Sequence, residues 1–296
     1  MTDLGSEQLA ALSRLFSSSV VRELARKGRS SIFARLATQS GLRQSLSTFD
    51  CVGDLFDRAF ALLKREGYRH EYIYKAALTH NILLGKHGLK NASMLTEFRV
   101  RECKADVAIL NGTSTVYEIK SERDSLSRLE RQIAAYGKVF ANVYVIAAED
   151  HVSSVLSSVP SYVGVMRLSK RYQISRLREA LDEPDRTRPD VIFESIRTQE
   201  ARSILLALGV RIPLVPNTEL NGALRELFVR LKPREAHEGM VRVLRITRNL
   251  LPLSELVDQL PYSLKTAALS VPLRKLDHAR LVSAVNTRLK DSLVWA

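Results

Sequence analysis

Asp106, Glu118 and Lys120 have the types and spacing that could do chemistry, within the stretch KADVAILNGTSTVYEIKSERDSL. Asp106 stands in ADVAIL (105–110) and the other two in TVYEIK (115–120), runs rich in residues that favour strands. Side chains alternate along a strand, so Glu118 and Lys120 point the same way. Whether Asp106 joins them depends on the turn. A two-residue Asn111-Gly112 turn, which that dipeptide favours, sets Asp106 opposite Tyr117 and aims it away from Glu118. A three-residue loop, Asn111-Gly112-Thr113, sets Leu110 opposite Ser114 and Asp106 opposite Glu118. A bulge near Asp106 reaches the same end by another route. We expect the register that joins the two acids.

Two carboxylates facing each other repel unless a cation lies between them. A hard divalent cation, Mg²⁺ or Mn²⁺, takes oxygen ligands and keeps places for water and phosphate. The expected ligands are Asp106, Glu118 and the backbone carbonyl of Ile119. Lys120 could then orient a water or stabilise charge in the transition state. That is the chemistry of phosphodiester hydrolysis by water. The plain alternative is a solvated hairpin face with a Glu118–Lys120 ion pair, which would contribute well under about 1 kcal/mol.

The elements that must position these residues fall into three segments. Residues 1–90 read as a helical N-terminal region. LFDRAFALLKREG and EYIYKAALTHNILLG carry helical spacing with stops at Gly67 and Gly85, and GRSSIFARLATQSG reads as a further helix or a loose arm. Residues 91–170 change period. LTEFRV, ADVAIL and TVYEIK are strand-like, and Asp124 or Ser125 could cap a helix with a stripe of Leu126, Leu129, Ile133, Tyr136 and Phe140. NVYVIA follows as a strand, HVSSVLSSV as a short helix and VGVMRL as the last strand. The order is that of an α/β fold. Residues 171–296 return to helical periods in a basic C-terminal region cut short by prolines.

Composition sets the wider limits. With 45% hydrophobic and 26% charged residues the chain is that of an ordinary globular protein. Its net charge is +13, which favours polyanionic partners. Residues 1–90 and 171–296 each carry an excess of six positive charges and residues 91–170 only one. The flanks could therefore grip nucleic acid, or simply be a solubilising surface. Cys51 and Cys103 make no metal-type pair. The start MTDLGSEQLAAL has no signal-peptide pattern and no apolar run is long enough for a membrane span, so a cytoplasmic protein with no membrane contact is expected. There is no phosphate-binding Gly-Lys loop and no serine-hydrolase elbow.

Asp106, an eleven-residue gap, then Glu118-Ile119-Lys120 before a helix resembles the signature of the PD-(D/E)xK superfamily, the restriction-endonuclease-like nucleases. The stretch from about 94 to 168 also resembles an uncharacterised bacterial family within it, carried by LTEFRV, KADVAILNG and VYEIKSE. Ala105 stands where that signature has proline, which removes no ligand. The resemblance implies a restriction-endonuclease-like mixed sheet flanked by helices, and a Mg²⁺-dependent deoxyribonuclease active in phage defence, mobile-element biology or repair. It implies Glu97 as a further acid, and Gln132 and Tyr136, a Gln-x-x-x-Tyr pattern on one helix face, as substrate-binding residues. DNA is the expected partner, with RNA the alternative polymer and a homodimer the expected assembly. The competing expectation is a catalytically silent module of the same fold that binds nucleic acid or a partner protein.

Overall fold

The computed structural model of the chain describes residues 4–42, 47, 50–65 and 67–295. Residues 1–3 and Glu66, the latter inside the expected helix LFDRAFALLKREG, lie outside the described residues. The chain forms two compact units, residues 1–80 with 250–296, and residues 81–249. The three sequence segments are cut at different places, because residues 250–296 return to the N-terminal helices.

The first unit is helical. It begins with α1 (Ser6–Leu15), α2 (Ser18–Lys27), α3 (Ser31–Gln39), α4 (Val52–Leu63) and α5 (Glu71–Leu78). It ends with α12 (Ser254–Gln259), α13 (Lys265–Leu269), α14 (Lys275–Val285) and α15 (Leu289–Ser292). The stretch read as a helix or a loose arm is helix α3, and Ser30 caps it by accepting from the Phe33 N–H at 3.0 Å. Phe16 stacks on Tyr72 with centroids 4.5 Å apart, and Phe33 packs on Phe56 at 5.2 Å. The return is tied by backbone bonds from Val52 N–H to Thr287 and from Leu289 N–H to Asp50, at 3.0 and 2.8 Å. Beyond α5 the backbone continues as a π-helix, Thr79–His87, and overruns the expected stop at Gly85.

The second unit is built on a six-stranded mixed sheet: β1 (Ser93–Val100), β2 (Cys103–Leu110), β3 (Ser114–Lys120), β4 (Asn142–Ala147), β5 (Gly164–Leu168) and β6 (Ile174–Arg178), in that spatial order. β3, β4 and β5 are parallel and the other pairs antiparallel. Parallel neighbours need crossovers. α6 (Leu129–Tyr136) supplies one and α7 (Val152–Ser158) the next. The fold is thus α/β, as expected, with one strand more: VGVMRL is followed by β6. α8 (Pro189–Ser195), α9 (Thr198–Ala207), α10 (Asn217–Phe228) and α11 (Pro233–Thr247) complete the unit. One core joins Ala108, Val116 and Val145 of the sheet to Ile133 of α6, Ile204 of α9, Phe228 of α10 and Met240 of α11. Gly164 is required by close packing, since a Cβ there would meet the Tyr144 ring at 2.1 Å. Among the described residues no helix is long and apolar enough to cross a membrane.

Candidate active site

The turn between β2 and β3 is the three-residue loop. Leu110 pairs with Ser114 and Val107 with Tyr117, the expected register, and the ladder ends there, one step short of Asp106 and Glu118. Asn111 N–H bonds the Thr113 carbonyl at 3.1 Å, and Gly112 takes a φ of 110°, which a side chain would resist. Asp106 is half-buried, and its Oδ2 accepts from the backbone N–H of Ile119 at 2.8 Å. The acid is thereby fixed to the strand that carries Glu118 and Lys120.

On the other side, Thr96 pairs with Val107 and Phe98 with Ala105, which leaves Glu97 and Asp106 facing each other between them. Glu97 has a φ of 56°, a left-handed backbone that costs a non-glycine residue of order 1–3 kcal/mol. The strand alternation breaks there. Leu95, then Phe98 and Val100, enter the core from β1, and Cys103 and Ala105, then Ala108 and Leu110, enter it from β2. The kink excuses Glu97 and Asp106 from that alternation. Carboxylate oxygens of the two lie within 4.8 Å of one another, close to the roughly 4 Å between opposite ligands of a Mg²⁺ held at about 2.1 Å. Glu97 also pairs with Lys104.

Glu118 and Lys120 lie deeper, at 2% and 5% exposure. Lys120 Nζ donates to Glu118 Oε1 and to Gln132 Oε1, each at 2.9 Å. The Tyr136 hydroxyl donates to Glu118 Oε2 at 2.9 Å and shares its proton with the Lys104 carbonyl at 3.0 Å. Gln132 and Tyr136 reach this pair because they are four apart on α6. Burial pushes the Glu118 carboxyl above its ordinary value, against the opposite pull of Lys120, Tyr136 and Gln132. Burial, and then the Glu118 charge, drive the Tyr136 phenol far upward, so it remains a donor.

The sequence-expected residues thus divide in two. Glu97 and Asp106 form a more open acidic pair, and Glu97 sits inside β1 rather than ahead of its core. Glu118, Lys120, Gln132 and Tyr136 form a closed network. The hydrogen bonds of Gln132 and Tyr136 turn toward the acid and the lysine, where the resemblance implied substrate. Ile119 is bound through its N–H to Asp106. Asp124 does not cap α6. It accepts from the N–H and hydroxyl of Ser121 at 2.8 and 2.6 Å, and the helix starts at Leu129. Sequence reasoning missed Lys104, which touches both groups through its ammonium and its carbonyl. A lone lysine in a strand gave no signal.

A family model described as bacteriophage P4 protein cII matches residues 64–245, a span that takes in all six strands and every residue of this site. The chain belongs to the bacteriophage P4 protein cII family. A relative, protein cII of Enterobacteria phage P4, is 31% identical over 110 residues, which is 36% of this chain and 38% of that protein. The chain therefore matches well under half the length of that curated relative. No solved structure matches the chain.

Proposed function

We propose that the protein is a metal-dependent nuclease that hydrolyses DNA phosphodiester bonds, on a sheet of the restriction-endonuclease-like kind. The observation that carries this reading is the convergence on β3. The β2–β3 register runs to within one step of Asp106 and Glu118, the Ile119 N–H between Glu118 and Lys120 bonds Asp106, and Glu97 stands beside Asp106 at a strained kink. The donor set suits a hard cation, being all oxygen. Glu118 spends one bond on each oxygen, and each carboxylate oxygen has a second acceptor direction. Asp106, Glu118 and the Ile119 carbonyl would hold Mg²⁺ or Mn²⁺, with Glu97 as a further acid. A cation there supplies Lewis acidity toward a phosphate and lowers the pKa of a water.

The remaining work falls to the chain. Gln132 holds the Lys120 ammonium, and Tyr136 holds the Glu118 carboxylate. Lys120 orients the attacking water or stabilises charge on the phosphate oxygens. A relative from a bacteriophage suits a role in mobile-element biology or phage defence. The second reading is a silent module that only binds nucleic acid or a partner protein. It is favoured by the closure of the Glu118–Lys120 pair, which satisfies itself.

The test is cleavage of plasmid and single-stranded DNA with Mg²⁺ or Mn²⁺, with RNA in parallel. Asp106→Asn and Lys120→Met should each slow cleavage by about 10²–10³-fold, the usual loss for one such group. Calorimetric titration with the metal should lose its heat in Asp106→Asn. A wild type that binds DNA, cuts nothing and takes up no metal would establish the silent module instead.

A further inference from the structure

A second feature of the sheet unit lies apart from the acids. A cleft of about 380 Å³ opens where β1 begins, against the last turns of α11. It is lined by Lys90, Ser93, Arg242, Arg245, Ile246 and Asn249, among others. Several arginines of this unit are matched to acids, Arg101 to Asp190 and Glu194, Arg167 to Glu149, Arg234 to Asp185 and Arg248 to Glu200, while others such as Arg202, Arg211 and Arg230 stand exposed at scattered positions. Among the described residues, Lys90, Arg242 and Arg245 carry no ion pair, and no acid lines the cleft. Three positive charges facing one concavity repel one another, an arrangement an anion would relieve. A helix C-terminus also attracts cations, but that accounts neither for Lys90, on another element, nor for Arg242, more than a turn from the end of α11.

The lining narrows the class of anion. It has no aromatic side chain, so it offers no platform for stacking unpaired bases. Arginine forks and a lysine suit phosphate oxygens instead. The position fits a polymer. The cleft includes Ser93, and Glu97 lies four residues along the same strand, about 13 Å at roughly 3.3 Å per residue. A duplex presents a phosphate about every 3.4 Å of axis on each strand, so that distance corresponds to about four base pairs.

We infer that this cleft grips the phosphate backbone of double-stranded DNA, a few base pairs from the acidic pair and without regard to base sequence. The inference deepens the proposed function by naming where the substrate is held, and rests on it for the choice of DNA. The binding itself needs neither metal nor cleavage.

The test is anisotropy of a labelled 20-base-pair duplex with the full chain in EDTA, across a range of salt. One variant combines Lys90→Ala, Arg242→Ala and Arg245→Ala. A control removes equal charge at Arg202→Ala, Arg211→Ala and Arg230→Ala, exposed positions outside the cleft. Each lost phosphate contact lowers the slope of log affinity against log salt by about 0.9, so the cleft variant should lose roughly 2.7 and the control far less. Arg242→Glu alone, at an exposed position, should weaken binding at least tenfold at low salt and guards against misfolding of the triple variant. An unchanged slope in the cleft variant, or an equal loss in the control, overturns the inference. Absence of nuclease activity with the slope change intact would sink the catalytic reading and leave this one standing.

Discussion

Two buried polar pairs hang from the same face of β3, four residues apart, and they solve burial in opposite ways. At the start of the strand, Ser114 meets His237 of α11 with Oγ and Nε2 2.7 Å apart. Ser114 Oγ also accepts from the Ala141 N–H at 3.1 Å. The other ring nitrogen, His237 Nδ1, finds no partner among the described residues. Burial lowers the His237 pKa to about 4, so the pair is neutral at pH 7. At the end of the strand stands the ionic pair of Glu118 and Lys120, with Gln132 and Tyr136 around it. The first pair tolerates one orphaned ring nitrogen, at a cost of about 1–3 kcal/mol. The second desolvates two charges, each at a cost of several kcal/mol. A buried ion pair is a weak source of stability, and this contrast is what makes the end of β3 the place to test the proposed chemistry.

The contrast is broken most forcefully at Lys120. Lys120→Met leaves Glu118 buried without its cation, and we expect a loss of about 3–5 kcal/mol by urea denaturation at pH 8. Adding Glu118→Gln removes the stranded charge, and the double variant should return to within about 1 kcal/mol of wild type or exceed it. A double variant as unstable as the single one would mean that the ion pair holds the fold, and would remove the argument that it is kept for function.

The pH dependence sharpens the comparison, because the two pairs carry opposite signs. His237 has a folded value lowered to about 4. Its contribution is whole above the unfolded value of about 6.5 and is lost as pH falls toward 4. Glu118 has a raised folded value. Its contribution is whole below the unfolded value of about 4.3 and is lost as pH rises through the folded one. His237→Gln should therefore remove up to about 3 kcal/mol of the acid-side loss between pH 6.5 and 4, measured by denaturation at both ends. Some acid loss should remain, since burial also lowers His80 in the helical unit to about 4. An acid limb unchanged in His237→Gln would contradict the neutral, buried assignment.

The two ends of β3 also differ in how readily the sequence reveals them. TVYEIK reads as a strand from its β-branched and aromatic residues, and the helix carrying Gln132 and Tyr136 reads from its stripe. Gln132, expected to meet substrate, instead accepts from Lys120. The Ser114–His237 contact links residues 123 apart, and no local pattern could have joined them. β6 escaped because ISRLR is a partly exposed edge strand with no buried face to set a period. The start of α6 was misread because Asp124 serves equally well as a turn residue, and Ser121 claims it. The kink at Glu97 was hidden, because left-handed φ at glutamate has no signature in composition. The stop at Gly85 failed because a wider π-turn carried the helix past it.

The finest test concerns the loop that sets the register for both pairs. Gly112 sits at a φ of 110° with nothing within 4 Å of where a Cβ would go. Gly112→Ala therefore adds backbone strain and no clash, and should cost about 1 kcal/mol. The two-residue type I′ turn that the dipeptide favours needs a positive φ at the same residue, so the cost falls on either turn, and the variant asks whether tertiary packing fixes the strand once that local preference is weakened. A one-residue slip would reverse every side chain of β3, exposing Val116 and burying Thr115 in its place. That penalty exceeds 1 kcal/mol by the area of a single buried valine, about 1.5–3 kcal/mol, before Glu118 and Lys120 are counted. The register should hold. Amide exchange reads the answer at Ile119, whose N–H bonds the Asp106 carboxylate. Protection there should fall only in step with global stability. Exchange at Ile119 that accelerates well beyond that would show the strand slipping, and would dissolve the register that brings Asp106 toward Glu118.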